Sequence, residues 1–276
     1  MTGQIVKIIS NLYYVRCNDC VYQCHSRGNF RNKGITPVVG DFCVIDVDDN
    51  YILEILPRKN FLIRPLVSNI DQGLIVTSLK TPDFSLNLLD KLILVMEKNN
   101  IVPIICITKA DLVDNLEEYI DIINYYKKIG YLVFFNTELD EIRKIFKDKT
   151  TVFTGQTGAG KSSLFNKLDS SLNLEVGEVS LALGRGRHTT RCVELLSLFD
   201  GNLVDTPGFS KIDLTNFDKK EFKKLFIEFN NYDCRYNDCM HTNEDTCDCG
   251  IKRAVKNGEI LKSRYDNYIK FLSDSN

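Results

Sequence analysis

The chain has 276 residues, which is longer than a typical single domain, so we expect two or three domains. Hydrophobic residues make up 43% and charged residues 26%, as in ordinary globular proteins, and the net charge of -2 indicates no particular partner. No apolar run reaches the roughly 18 residues of a membrane span, and the N-terminus lacks a secretion signal, so we expect a cytoplasmic protein without membrane contacts.

Residues 1–61 are predicted to form a small β-barrel. Three segments rich in β-branched and aromatic residues, 4–9, 12–15 and 41–45, are separated by turn-forming glycines and a proline. Short strands at this spacing, with no helical run between them, are typical of an all-β OB-fold.

Residues 62–211 are predicted to form an α/β domain. Its predicted strands are 73–78, 101–107, 151–154, 192–199 and 201–204. Apolar residues at helical spacing follow the first two strands and predict helices from about residue 83 and about residue 115. Strands that alternate with helices favour a parallel sheet whose loops at the strand ends bind nucleotides.

Residues 212–276 are predicted to form a small helical domain. Segments 217–229 and 251–272 have helical patterns, and the loop between them is rich in cysteine and contains a histidine. A short helical domain with such a loop is typical of a metal-stabilised fold.

The strongest motif is a phosphate-binding loop that fits G-x-x-x-x-G-K-[ST]. It consists of Gly155, Gln156, Thr157, Gly158, Ala159, Gly160, Lys161 and Ser162, and Ser163 follows in the predicted helix. Glycines allow backbone N–H groups to surround phosphate oxygens, and the helix N-terminus adds partial positive charge. We expect Lys161 to contact the β- and γ-phosphates and the Ser162 hydroxyl to bind Mg²⁺.

A second motif, D-x-x-G, follows the predicted strand 201–204. Asp205 can act in the outer shell of Mg²⁺, and the backbone N–H of Gly208 can approach the γ-phosphate. Such a tetrapeptide alone is often an ordinary turn, but its place after a phosphate-binding loop favours the nucleotide function.

A third motif predicts guanine specificity. Thr108, Lys109, Ala110 and Asp111 fit [NT]-K-x-D after an apolar strand. The carboxylate of Asp111 can accept hydrogen bonds from N1–H and the exocyclic amine of guanine, which adenine cannot offer in the same way; such pairing rejects the wrong base by roughly 10⁴-fold. The motif precedes the phosphate-binding loop, so we expect a circularly permuted domain, which the close termini of compact domains allow.

In motif order the chain resembles the RsgA (YjeQ/YloQ) family of circularly permuted GTPases, over nearly its whole length. Residues 27–31 and 35–41 are similar to the family's OB-fold signature, residues 83–90 to the helix before its guanine motif, and residues 184–191 to its switch I. The resemblance implies a GTP hydrolase that binds the small (30S) ribosomal subunit, is stimulated by it and assists its late maturation.

The resemblance also implies that the barrel and the C-terminal domain contact ribosomal RNA. Arg27, Arg31 and Lys33 are the candidate phosphate contacts of the barrel. We expect GTP and GDP as ligands, the small subunit and its RNA as partners, and a monomeric chain.

Ten cysteines without a secretion signal indicate reduced thiols. Cys234, Cys239, His241 and Cys247 supply three thiolates and one imidazole, a set typical of one structural Zn²⁺ per chain, and the family carries a zinc site of this spacing. Cys249 competes with Cys247 for the fourth position. The other cluster, which comprises Cys17, Cys20, Cys24 and His25, lies among predicted strands, so we favour core or surface thiols over a second metal site.

The residue after D-x-x-G is Phe209, where many GTPases have a glutamine that orients water. His188 in the switch I segment is the candidate for this function, as the resemblance also suggests, and Thr189 or Thr190 is the candidate Mg²⁺ ligand. His188 can instead be an RNA contact or a merely exposed residue.

Two other functions remain open at this point. A P-loop ATPase or kinase is disfavoured by residues 108–111. The other is an RNA-binding module that is switched by GTP occupancy and has negligible turnover, and Phe209 leaves this alternative open.

Overall fold

The structure, a computed structural model, describes residues 1–26, 30, 34–63, 65–170, 193–205, 214 and 217–275. It has the three parts that the sequence predicts, namely an N-terminal β-barrel, a central α/β sheet and a C-terminal helical region. None of the helices in the described part of the chain combines the length and apolarity that a bilayer crossing requires.

Five of the described strands form the OB-like barrel. They are β1 (Thr2–Ile9), β2 (Leu12–Cys17), β3 (Cys20–Ser26), β4 (Phe42–Asp46) and β5 (Tyr51–Ile55). β1 pairs with both β2 and β4, and β3 pairs with β5, so the sheet closes on itself. Alternate side chains fill the interior. Cys17 and Cys24 are part of this core, whereas Cys20 is exposed, and the structure thus gives these thiols the places that we favoured.

A short hairpin, β6 (Phe61–Ile63) and β7 (Leu66–Ser68), connects the barrel to the central sheet. The buried carboxylate of Asp41 accepts hydrogen bonds from Nε and Nη2 of Arg58 at 2.7 and 2.8 Å. It also accepts one from the hydroxyl of Ser68 at 2.6 Å. These contacts join the connecting segment to the barrel.

The central domain has a mainly parallel sheet with helices on its faces. The strands are β8 (Gln72–Ser78), β9 (Val102–Thr108), β10 (Leu132–Phe135), β11 (Thr150–Gly155), β12 (Glu194–Leu198) and β13 (Gly201–Asp205). The helices are α1 (Leu86–Lys98), α2 (Glu117–Lys128), α3 (Leu139–Phe146) and α4 (Lys161–Leu168). β8, β9 and β11 are buried along most of their length because both faces of a parallel sheet are covered.

The strand order in this sheet is β10-β9-β8-β11-β13-β12. β11, which carries the phosphate-binding loop, thus lies in the middle of the sheet although three of its strands precede it in the chain. β12 is antiparallel to β13 and also pairs with β1 of the barrel, so all the described strands except β6 and β7 form one sheet of eleven across both domains.

The C-terminal region is helical but more broken than its sequence suggests. It contains α5 (Lys219–Leu225), a 3₁₀ turn (Ile227–Asn231), α6 (Gly250–Lys256) and α7 (Lys262–Asp274). We expected one helix over 217–229, but Phe226 leaves the helical conformation with φ -83° and ψ 85°. We also expected one helix over 251–272, but Gly258, with φ +75°, ends the first half. The breaks allow Phe222, Phe226 and Phe271 to enter one aromatic core.

Candidate nucleotide and metal sites

The three nucleotide motifs are brought to one edge of the central sheet. The phosphate-binding loop follows β11, the motif 108–111 begins at the last residue of β9, and Asp205 is the last residue of β13. These strands are parallel, with β8 between β9 and β11, and β13 next to β11. Their carboxyl ends therefore meet at the edge where open α/β sheets bind ligands.

The phosphate-binding loop needs glycine at its first and last turns. A Cβ atom at Gly155 would lie 2.0 Å from the carbonyl oxygen of Val76 on β8, so no other residue fits there. Gly160 has φ +93°, in the left-handed region that favours glycine, and directly precedes α4. The chain thus turns sharply into α4, and the N-terminus of this helix points toward the phosphate-binding loop, as anion binding requires.

Lys161 is bonded to the backbone of the phosphate-binding loop. Its Nζ donates hydrogen bonds to the carbonyl oxygens of Gly155 at 2.7 Å and Gln156 at 2.8 Å. Burial lowers the pKa of Lys161 to about 8. The ammonium is thus held over the loop by carbonyl groups, where phosphate oxygens would be stronger partners.

The guanine motif is tied directly to the phosphate-binding loop. The buried hydroxyl of Thr108 donates to the carbonyl oxygen of Ala159 at 2.5 Å. Nζ of Lys109 donates to the carbonyl oxygens of Gly158, at 2.8 Å, and Thr81. Thr108 therefore joins the two loops although it replaces the commoner asparagine. The segment around Thr81, between β8 and α1, is a part of the site that the sequence patterns did not reveal, since its contribution is a backbone carbonyl.

Asp111 lies in a 3₁₀ turn, Ala110–Leu112, and its side chain is exposed. An exposed carboxylate two residues after Lys109, which bonds to the phosphate-binding loop, is available to a base. Ser162, in the first turn of α4, is buried, as a hydroxyl close to a phosphate-bound Mg²⁺ would be.

Several sequence candidates lie outside the described residues. They are His188, Thr189, Thr190, Gly208 and Phe209 of the nucleotide site, and Arg27, Arg31 and Lys33 of the barrel. The backbone of Asp205 is described at the end of β13.

The C-terminal loop forms a cluster of three thiols and one imidazole, with one correction to the predicted set. Cys234, Cys239, His241 and Cys249 point their ligand atoms at a common centre. Cys249, not Cys247, occupies the fourth position. Cys249 is buried and precedes α6, whereas Cys247 is exposed in the preceding turn. Both spacings fit a zinc loop, so only the turn before the helix could distinguish them.

The cluster has the dimensions of a tetrahedral zinc site. Bonds of about 2.3 Å to sulfur and about 2.0 Å to nitrogen separate the ligand atoms of a tetrahedral ion by about 3.5–3.8 Å. Nδ1 of His241 lies 3.5, 3.3 and 3.4 Å from the sulfur atoms of Cys234, Cys239 and Cys249. The sulfur atoms of Cys234 and Cys249 are 3.9 Å apart. Donor types and spacing therefore fit Zn²⁺.

The surroundings of the cluster hold its ligands in place. Burial and nearby lysines lower the pKa of His241 to about 4, which leaves the imidazole neutral and able to bind a metal. Backbone N–H groups of Gly250 and Lys252 donate to the sulfur atoms of Cys234 and Cys249 at 3.3 and 3.4 Å. Such hydrogen bonds stabilise thiolates and orient them.

Family comparisons agree with this arrangement. The model of the RsgA GTPase domain matches residues 55–215, and the model of the RsgA N-terminal domain matches residues 2–52. The chain is 44% identical over 284 residues to the small ribosomal subunit biogenesis GTPase RsgA of Enterococcus faecalis (strain ATCC 700802 / V583), covering 99% of this chain and 95% of that protein. It is 44% identical over 288 residues to the protein of the same name from Latilactobacillus sakei subsp. sakei (strain 23K), with the same coverage.

Solved structures of similar proteins extend the comparison to three dimensions. YloQ, a circularly permuted GTPase, is 36% identical, with a TM-score of 0.82 over 99% of this chain and 94% of that one. YjeQ from Thermotoga maritima is 32% identical, with a TM-score of 0.85 over 99% of this chain and 97% of that one. Both similarities span the barrel, the sheet and the helical region.

Proposed function

This chain belongs to the RsgA family of circularly permuted GTPases, and from that premise we propose that it hydrolyses GTP on the small (30S) ribosomal subunit and assists the late maturation of that particle. Its curated relatives carry the name small ribosomal subunit biogenesis GTPase. The domain bounds that we propose are 1–61, 62–211 and 212–276.

One observation carries the enzymatic part of the proposal. The phosphate-binding loop, the guanine motif and Asp205 share one edge of the sheet, and Thr108 bonds to the phosphate-binding loop. A nucleotide with its phosphates over Lys161 and its base beside Asp111 would contact both loops at once. The same hydrogen bond would transmit any displacement of one loop to the other.

The residues divide into three proposed roles. Residues 155–163 and 108–111 bind GTP, with Ser162 and either Thr189 or Thr190 on Mg²⁺. Asp205 acts in the outer shell of Mg²⁺, and the backbone N–H of Gly208 lies beside the γ-phosphate. When bound, Mg²⁺ neutralises charge on the phosphates during the reaction. Zn²⁺ in the cluster of Cys234, Cys239, His241 and Cys249 has a structural role, because four protein ligands leave it no open position.

His188 is the proposed group that orients the attacking water. The side chain of Phe209 has no polar atom and cannot do so. Since the histidine belongs to a segment rich in arginine, contact with RNA is the proposed means of bringing it into position. Turnover should then be slow in the free protein and fast on the subunit.

The barrel and the C-terminal helical region are the proposed RNA-binding arms, with Arg27, Arg31 and Lys33 on phosphates. We propose that the protein acts as a monomer in the cytoplasm, where its proposed partner is assembled.

The experiment that tests this function is a titration of GTP turnover with purified small subunits. We expect a saturable increase in turnover that large subunits do not cause. An equal rate with and without small subunits would contradict the proposal. Subunit binding that depends on GTP, with no turnover with or without subunits, would support the second candidate, an RNA-binding module switched by GTP occupancy. The reason to consider this candidate is Phe209, which stands where many GTPases have a glutamine that orients water.

A further inference from the structure

Within the eleven-stranded sheet, the hairpin β12–β13 links the barrel to the strands of the nucleotide site. In the described part of the chain, the eleven-stranded sheet passes from the barrel to the parallel strands through this hairpin alone. On one side β12 pairs with β1, and on the other side β13 pairs with β11, the strand of the phosphate-binding loop. Any force between the two domains within the sheet therefore passes through it.

One rung of the sheet joins the barrel to the end of the hairpin that carries Asp205. Nζ of Lys7 on β1 lies 2.8 Å from Oε2 of Glu194, and both side chains are half-buried. Lys7 is the Cα partner of Glu194, and Glu194 is the Cα partner of Asp205. The rung Lys7–Glu194–Asp205 thus crosses three strands and ends at the aspartate of the D-x-x-G motif.

A second barrel cation holds the hairpin near its turn. The guanidinium of Arg16 on β2 donates from Nη2 to Oδ1 of Asn202 at 2.6 Å and from Nη1 to the hydroxyl of Ser197. Ser197 and Asn202 are Cα partners, one on each strand of the hairpin. Lys7 and Arg16 therefore hold the same hairpin at two separate rungs.

The two strands of this hairpin adjoin, in the sequence, two segments of the nucleotide site. The segment 184–191, which precedes β12 in the sequence, is similar to switch I, and β13 ends at Asp205. Lys7 pairs with Glu194 from the other domain and thereby holds β12, the strand whose Cα register with β13 sets the backbone position of Asp205. Small displacements of groups near a reacting phosphate can lower the rate by about 10²-fold.

We propose that Lys7 and Arg16 are positioning residues for GTP hydrolysis, which act from the barrel through β12–β13 on the register of Asp205 and so convert RNA contact by the barrel into stimulated turnover. This inference rests on the proposed function. It concerns turnover on the subunit and assigns neither residue a contact with nucleotide.

A charge-reversal cycle on Lys7 and Glu194 tests the inference. Lys7→Glu should lower the maximal subunit-stimulated rate by about tenfold or more. The subunit concentration that gives half-maximal stimulation should be unchanged, as should GDP affinity. The double variant Lys7→Glu/Glu194→Lys restores the ion pair in reverse and should recover most of the stimulated rate. Arg16→Ala should lower the maximal rate in the same manner, and Arg16→Lys should recover part of it.

Lys59→Glu is the matched control. It removes a pair of similar length, 2.7 Å to Asp71, outside the hairpin, and should leave the stimulated rate unchanged. If Lys7 acted only by contacting RNA, the double variant would be as impaired as Lys7→Glu, and the inference would be wrong. Full stimulated turnover in Lys7→Glu would also overturn it. If wild type itself is not stimulated by small subunits, the proposed function fails, and this inference fails with it.

Discussion

Nη1 of Arg264 lies 2.6 Å from Oδ1 of Asp90, and neither side chain is exposed to solvent. Arg264 belongs to α7 of the helical region and Asp90 to α1 of the central domain, so the ion pair crosses from one part of the molecule to the other. Nε and Nη2 of the same guanidinium donate to the carboxylate of Glu228 at 2.8 and 2.9 Å. The hydroxyl of Tyr126 and the amide of Asn267 complete the hydrogen bonds of Asp90 at 2.6 and 2.7 Å.

Replacement of Arg264 should destabilise the protein strongly. Arg264→Ala leaves two buried carboxylates without a cation, which typically costs about 3–5 kcal/mol. Lys262→Ala, on the same helix, removes an exposed ion pair with Asp266 and should cost about 1 kcal/mol or less. Urea denaturation followed by circular dichroism measures both values. Similar losses in the two variants would show that the buried pair contributes no more than a surface pair.

Zinc content should depend on Cys249 and not on Cys247. Cys249→Ser removes a sulfur atom 3.4 Å from Nδ1 of His241, so we expect loss of most of the roughly one zinc per chain. Cys247→Ser changes an exposed thiol outside the cluster and should keep the metal. Elemental analysis of anaerobically prepared protein decides between them. The reverse result would return the fourth position to Cys247.

GDP affinity should decrease at alkaline pH. Burial lowers the pKa of Lys161 to about 8 in the nucleotide-free protein, and a phosphate beside the ammonium favours the charged form. Binding above that pH therefore takes up a proton, so the dissociation constant should rise with pH by up to about tenfold per unit until the pKa of the complex is reached. Below that pH the lysine is already charged, and affinity should be independent of its titration.

Calorimetry in buffers of different ionisation enthalpy measures this proton uptake directly. Lys167→Met, an exposed change on the same helix, should keep the full pH dependence. Lys161→Met should lose the pH dependence together with most of the affinity. If wild type binds GDP equally well at about pH 7 and about pH 9.5, then Lys161 stays protonated throughout and the prediction is wrong.

Asp111→Asn should change base preference from guanine to xanthine, because the amide can donate to the carbonyl that xanthine carries at position 2. GDP should bind weaker by roughly 10⁴-fold. Asp114→Asn changes a fully exposed carboxylate a short distance along the chain and should leave GDP binding intact. Competition with xanthosine diphosphate provides the measurement. Wild-type GDP affinity in Asp111→Asn would remove the guanine role from this residue.

His188→Ala should separate catalysis from binding. We expect GTP and GDP affinity close to wild type and a loss of roughly 10²–10⁴-fold in the subunit-stimulated rate, as is common for one oriented catalytic group. His25→Ala, in the barrel, is the matched histidine change and should keep most of that rate. Full stimulated turnover in His188→Ala would assign the orientation of water to another residue or to the ribosome.

The nucleotide edge of the sheet could be predicted from the sequence because its determinants are local. A glycine loop between an apolar strand and a helix, as at Gly155–Lys161, specifies its own geometry through backbone conformation. The reversed order of the motifs predicted the permutation, and the strand order confirms it, since β8 and β9 precede β11 in the chain while β8 pairs with β11 and β9 pairs with β8.

The helix breaks and the fourth zinc ligand could not be predicted from local pattern, because tertiary contacts decide them. The turn at Phe226 allows Glu228 to reach Arg264 in the interior. Cys249 lies in the cluster in place of Cys247 because it caps α6, where its sulfur accepts a hydrogen bond from the N–H of Lys252. The apolar periodicity of segments 217–229 and 251–272 is compatible with continuous helices and contains no information about these tertiary contacts.

The pairing of β1 with β12 has a consequence for the newly made chain. Lys7 and Glu194 are separated by 187 positions, so the barrel strands are complete long before β12 exists. During that interval one side of β1 near Lys7 is a free sheet edge, and free edges recruit strands from other chains and aggregate. A lysine on such an edge opposes intermolecular pairing, because an incoming strand would have to bury its charge. Lys7 would thus protect the nascent barrel until Glu194 arrives, and a fragment that ends at residue 61 would depend on that protection permanently.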